Sequence, residues 1–532
     1  MLSRRHFLAI SAAFPTLSYL SLGPVLAATP ADILVVAQQL DNMTSLDPHE
    51  SFEAVGSEIC GNMYQQLVTP SFEDPEKVEP QVADSWSASE DGKTFTFKIK
   101  PGLKFASGGD LTAEDCAWSL QRCIAMNKSP AFIISQFGWT AENVAGLIRA
   151  TDATTLVLET TAPTSVSFLL YCLSANVGAV VEKAVVEANA VEGDWGNAWL
   201  QKNSAGSGAF VLQVWRPSDS VSMQVNPNSD YEGNLKRVIL RHIADPSAQL
   251  LMLQNGDVDV ARNLTSEQLR TLQGNADIVL NRKDTASLML MSLNQSQEKL
   301  QNPKVWEAFK WAIDYEGIQK NILPMTHVVH QAIIPNGLPS AVTDTPFRKD
   351  SAKAKALLAE AGLADGFEIN MDHYSAQPYP DIAQTIQANL AEIGVKVNLI
   401  SAENRQVLTK MRAREHEIAL SAWGTDYFDP NSNAEVFCIN KDNSDNATTK
   451  PFAWRSHFQD EELMAMAIAA RDEKDPATRI RMYVELQEKF MHNSPFVIMM
   501  QGSTTAAARP NVNGIRLGVL PSSHSYAWTS KS

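Results

Sequence analysis

In "WGTDYFDPN", residues Trp423 to Asn431, two carboxylates stand among three aromatic residues, and Pro430 closes the second. An aspartate in such a loop either bonds its own backbone to form a turn or faces a cation. The loop follows the apolar run "EIALSA", so Asp426 and Asp429 lie where a buried segment runs out. Other sets of chemically active residues are weaker. There is no GxSxG nucleophile elbow, and "GSGAFV" lacks the spacing of a dinucleotide loop. "HEIAL" opens like a zinc-protease helix but has no second histidine and sits in an apolar strand pattern. His327 and His330 form an HxxH pair that could hold a metal on a helix face, yet a loop proline lies close and no third ligand is evident. Asp84, Glu90 and Asp91 read as a solvated turn. The chemistry on offer is that of a binder, with no catalytic residue, no metal and no cofactor implied.

Elements that would position these residues follow from hydrophobic period and punctuation. "DGKTFTFKIK" alternates, with Phe95, Phe97 and Ile99 on one side and Thr94, Thr96 and Lys98 on the other, as in a half-buried strand. "DLTAEDCAWSLQRCI" reads as a helix opened by a capping box of Thr112 and Asp115. "ADILVVA" is a strand, "AFVLQVWRPSDSVSMQV" a hairpin, and "RVILRHI", "PSAQLLMLQNG" and "DVDVA" a strand–helix–strand unit. The unit recurs later: helix "SAKAKALLAEAGL", strand "FEINMDH", helix "DIAQTIQANLAEI", strand "VKVNLI", a helix around "RQVLTKMRA" and strand "EIALSAW". Such alternation predicts parallel strands with helices on their faces. Ligands of such sheets bind in the crevice outside the carboxyl ends of the strands, and Trp423, Asp426 and Tyr427 stand just past one. Residues 455–492 read as mostly helical, and 493–532 as short strands and loops.

The first 28 residues, "MLSRRHFLAISAAFPTLSYLSLGPVLAA", carry Arg4 and Arg5, an apolar run and small residues at Ala27 and Ala28. They predict a cleaved secretory signal, and the order Ser3-Arg4-Arg5-His6-Phe7-Leu8 resembles the twin-arginine type. A periplasmic location follows. With 44% hydrophobic and 20% charged residues, the rest has the make-up of a soluble globular chain, and its length calls for two or three domains. A net charge of −16 argues against nucleic acid as a partner. Cys116 and Cys123 lie seven apart on a helix, about 10 Å between Cα atoms, too far for a disulfide. With an odd total of five cysteines and no CxxC, most read as buried small hydrophobes.

The stretch "VEPQVADSWSASEDGKTFTFKIKPGLKFASGGDLTAEDCAWSLQR" closely resembles a segment of the family 5 extracellular solute-binding proteins, the oligopeptide-, dipeptide- and nickel-binding components of ABC importers. "SGAFVLQVWRPSDSVSMQVNPNSDYEG", "LQNGDVDVA", "IQANLAEIGVKVNLI" and "SAWGTDYFDP" resemble its later blocks in order. The resemblance implies an α/β clamp of two lobes with mixed sheets flanked by helices. Lobe I would be built from 29–75, 206–287 and 507–532, an extra domain packed on it from 76–205, and lobe II from 288–506. A monomer would take a peptide or peptide-like ligand between the lobes and present it to an inner-membrane permease.

In peptide-binding members the Asp at the position of Asp426 pairs with the ligand's α-ammonium group. Trp423 and Tyr427 would then exclude water and pack on the ligand. Dipeptide-binding members carry an Arg before a Pro-Tyr pair that holds the ligand's carboxylate. Here Gln377 precedes Pro378-Tyr379, so a carboxylate would need another cation, with Arg405, Arg412 and Arg414 as candidates. Opines, sugars and metal chelates stay open as ligands, His327, His330 and His373 mattering only for the last.

Overall fold

The computed structural model describes residues 29–231 and 233–532; the segment read above as a secretory signal, with Ala27 and Ala28, lies outside them. Two α/β bodies share one sheet of eleven strands. In the first, Ile33–Gln38 runs parallel to Arg237–His242 on one side and to Val260–Ala261 on the other. The hairpin Phe210–Arg216 and Ser220–Val225 extends it. Asp245 caps helix Pro246–Asn255 by accepting from the Ala248 amide.

The second body has the expected alternation. Phe367–Tyr374 lies parallel to both Val395–Ala402 and Ile418–Gly424. Helices Tyr379–Glu392 and Asn404–Arg412 make the crossovers. The two strand starts are drawn together at Gly366, where φ is +72° and a Cβ would sit 1.9 Å from the Gly394 carbonyl oxygen. Only glycine meets both conditions.

Between the bodies run two long antiparallel strands, Val279–Leu293 and Phe496–Ala508. This corrects the expectation of only short strands and loops after 493. Each of these strands changes character along its length. "LMLMSL" and "FVIMM" are buried inside the second body, while "NRKDTAS" and "QGSTT" cross between the bodies. Neither half alternates, so neither displays a strand period. Their register slips between Asp284 and Leu288, at the crossing.

A four-stranded antiparallel sheet, Ala83–Ala88, Thr94–Ile99, Thr155–Glu159 and Ile148–Asp152, forms a further layer. Phe95, Phe97 and Ile99 are buried in it under helix Ala113–Met126. The Asp115 carboxylate accepts from the Thr112 amide, completing the capping interaction. Arg122 on that helix donates to both oxygens of Asp47, at 2.9 and 2.6 Å, and so ties the layer to the N-terminal segment. All five cysteines are free thiols and buried. Among the described residues, no helix is long and apolar enough to cross a membrane.

Candidate functional site

A cavity of about 580 Å³ lies where the two bodies meet. The first body supplies Glu58, Arg262 and His524; the crossing strands supply Thr285, Ala286 and Thr504; the second body supplies Gly424, Thr425 and Asp426. A neighbouring cavity of about 740 Å³ shares Leu520, Ser522 and His524 with it and reaches toward Phe428, Arg516 and Trp528.

The loop that delivers Asp426 is rigidly built. Strand Ile418–Gly424 ends, the Thr425 amide donates to the Ala286 carbonyl at 2.8 Å, and helix Asn431–Cys438 begins six residues later. Asp429 is fully buried and accepts from both Arg479 nitrogens at 2.8 Å and from the Asn431 amide at 2.8 Å. The Asp426 amide donates to Ser432 Oγ at 3.0 Å. The carboxylate of Asp426 itself makes no hydrogen bond or ion pair among the described residues. Burial raises its carboxyl to about 6; Arg455 opposes the rise and Glu435 adds to it. Desolvation of a charge without a partner produces this sign of shift.

Trp423 is half-buried. Its indole packs edge-on against Phe437 and Phe452 at 6.1 and 5.7 Å, and its Nε1 donates to Asn433. Tyr427 does not line the cavity. It is 2% exposed and packs at 6.4 Å on Phe168, from helix Val166–Leu173 of the extra layer. Next to it Phe428 meets Tyr171 of the same helix at 5.6 Å. In this structure the Tyr427 side chain thus braces the loop against helix Val166–Leu173. Gln377 is exposed, and its side-chain amide reaches Asp381, in the first turn of the helix that follows, at 3.5 Å rather than the cavity.

Of the arginines considered for a ligand carboxylate, Arg414 is consumed by Asn443 and Asp445 and stacks over Trp454, while Arg405 and Arg412 are exposed. Arg455, which carries no motif in the sequence, is the cation whose charge Asp426 feels. On the opposite wall Glu58 accepts from Arg262 at 3.0 Å, from the Tyr526 hydroxyl at 2.5 Å and from Gln38 at 3.2 Å. Burial pushes the Glu58 carboxyl up, but Arg262 and the hydrogen bonds outweigh it and hold the group low.

The histidines have structural partners. His327 begins a short strand, not a helix, and bonds Thr326; His330 is buried against the Ile334 carbonyl; His373 bonds the Tyr374 carbonyl. Among the described residues no group of three metal-ligating side chains comes together.

Comparison with known proteins agrees with this architecture. The model of the bacterial extracellular solute-binding proteins, family 5 Middle, matches residues 77–445. The probable D,D-dipeptide-binding periplasmic protein DdpA of Escherichia coli (strain K12) is 27% identical over 496 residues, 92% of each chain. Among solved structures, the ABC transporter-associated periplasmic binding protein DppA from Helicobacter pylori, in complex with peptide STSA, has a TM-score of 0.73 at 23% identity, covering 94% of this chain and 98% of that one. MoaA from A.tumefacien R10, in complex with mannopinic acid, has a TM-score of 0.72 at 22% identity, covering 94% and 100%. These structural likenesses establish the two-lobed fold. With the family model spanning well over half of its length, the chain belongs to the bacterial extracellular solute-binding proteins of family 5.

Proposed function

We propose that this protein captures peptides or peptide-like amino compounds between its lobes and delivers them to an ABC permease of the inner membrane. One observation carries the reading: Asp426, a largely buried carboxylate with no partner among the described residues, stands on the wall of the interlobe cavity past the carboxyl end of a parallel strand. A buried charge left unpaired costs several kcal/mol, and a ligand ammonium removes that cost. Trp423, on the same strand-and-loop segment, forms part of an aromatic cluster with Phe437 and Phe452, and Tyr427 positions the loop. The printed ligands and names of DdpA and of the Helicobacter pylori protein support the peptide class.

The mechanism is capture, closure and presentation, with no bond made or broken. Closure turns about the paired strands near 284–288 and 501–503, where the register slips and Gln501 ties Thr285 to Asn336. Lobe I then comprises 29–75, 206–287 and 507–532, the extra domain 76–205, and lobe II 288–506. The protein works as a periplasmic monomer after twin-arginine export and cleavage near Ala27 and Ala28. A second reading, an opine as ligand, is supported by MoaA and its mannopinic acid and by the neutral Gln377.

The test is a thermal-shift screen of the mature protein with pools of di- and tripeptides and with opines. A ligand that binds only the folded state raises Tm by mass action. A shift with peptide pools supports the first reading, and a shift with opines alone the second. No shift with any amine-bearing compound contradicts both.

A further inference from the structure

The extra layer of residues 76–205 packs against both bodies, and its two attachments differ in kind. Toward the first body it is held by a buried ion pair: Arg122 donates to both oxygens of Asp47, and neither side chain is exposed. Asn197 adds a further donor to Asp47 at 2.8 Å, and Trp118 lies inside the first body's core. Toward the second body the attachment is aromatic. Phe168 and Tyr171 stand three apart on helix Val166–Leu173, so they share one face. Tyr427 and Phe428 stand side by side on the Asp426 loop, and each meets one of them, at 6.4 and 5.6 Å.

The side chains are exchanged across this seam. Tyr427 of the loop lies in the core of the layer, while Tyr171 of the layer lies in the core of the second body. Arg479, which pins Asp429, covers the seam with its guanidinium carbon 5.4 Å from the centre of the Phe168 ring. At an exposed edge Lys474 of the second body donates to the Asp91 carbonyl at 3.0 Å. The two bodies are thus joined twice, once through the crossing strands and once through the layer. A turn about the crossing strands that opens the interlobe cavity must part the layer from one body. Breaking a buried ion pair leaves two charges without partners, whereas aromatic faces part at the cost of exposed apolar area. The aromatic seam is the weaker of the two.

We propose that Phe168 and Tyr171 are positioning residues for ligand capture: through Tyr427 and Phe428 they latch the Asp426 loop to the layer in the closed clamp, and the seam separates on opening. Closure is then not left to the ligand alone. The latch offsets the cost of burying the Asp426 carboxylate, so a modest differential affinity of the ligand suffices to hold the closed form. The proposal rests on the two-lobed capture given above, but not on the chemistry of what is captured.

Small-angle X-ray scattering of the ligand-free protein tests it. Phe168→Ala is expected to scatter as a more extended particle than wild type, and pools of di- and tripeptides to return it toward the wild-type radius of gyration. An ensemble with only about a tenth of its molecules closed binds about tenfold more weakly, and calorimetry with the same pools is expected to show a loss of that order. Tyr427→Phe, which keeps the ring, behaves as wild type. Phe168→Ala with a lowered Tm but wild-type scattering and affinity would make the contact merely structural and overturn the proposal. If the pools bind to neither protein, the peptide reading falls, and the scattering of the ligand-free proteins still decides the latch. Circular dichroism verifies folding, and Tyr427→Ala, cut from the other side of the seam, carries the same test if Phe168→Ala does not fold.

Discussion

Arg479, on helix Pro476–His492, donates to both carboxylate oxygens of Asp429 at 2.8 Å, with both side chains buried. The pair pins the far end of the loop that carries Asp426. Asp429 thus serves the fold, while the carboxylate of Asp426, three residues earlier, makes no hydrogen bond or ion pair among the described residues.

Breaking this pair on one side leaves a buried charge alone, which costs about 3–5 kcal/mol. Asp429→Ala is expected to lower the unfolding free energy by about that amount in urea titration. Removing both charges, in Asp429→Ala with Arg479→Leu, costs less than Asp429→Ala alone. Equal losses in the two variants would show that the buried charge is not the source.

Asp426 has a folded-state carboxyl raised to about 6 against an ordinary 3.8, chiefly by burial. Because the folded value is the higher, its protonated form stabilises the fold fully below about pH 4. That contribution is lost as pH rises through 6. Asp426→Asn, which stays neutral, is therefore expected to be more stable than wild type at pH 7 by about 1–3 kcal/mol, from about 1.4 kcal/mol per unit discounted for partial exposure. The advantage vanishes below about pH 4. Thermal melts of both proteins across this range measure it. A variant no more stable at pH 7 would mean that the carboxylate is already satisfied.

Ligand affinity follows the same group with the opposite consequence. Protonation removes the charge that holds an ammonium, so wild-type affinity is expected to fall as pH drops from 7 through 6 to 5. A peptide ammonium stays charged throughout this range. Calorimetry at three pH values gives the slope, and a flat profile would remove Asp426 from the binding step.

All five cysteines are buried, and burial drives each thiol well above its ordinary ionisation range. Thiolates are the reactive form. The native protein is expected to resist a thiol reagent and to expose five reactive groups in denaturant. Fast labelling of the native protein would place a cysteine at a mobile surface.

Much of the second body was legible because its strands and helices alternate and stop at glycines, and the position of Asp426 past Gly424 follows from that pattern. The long strands Val279–Leu293 and Phe496–Ala508 were not, because each is apolar where it serves a core and polar where it crosses between bodies. The packing of Tyr427 was not legible either, for a related reason. Its burial depends on Phe168, brought from a distant segment, and no local spacing records such a contact. Arg455 left no signal either, since "FAWRSHF" matches no binding motif and its charge reaches Asp426 only in the folded chain. Charges that must stay unpaired in the folded protein are recognisable only once every partner has been placed.

The central claim is that a ligand ammonium completes Asp426. It is tested most directly by titrating wild-type protein and Asp426→Asn with a peptide pool and with the same pool acetylated at its amino ends. Tight binding of the free pool by wild type is predicted, with a loss of at least about a hundredfold, or about 2.7 kcal/mol, both on acetylation and in Asp426→Asn. Equal affinity of Asp426→Asn and wild type for the free pool would contradict it.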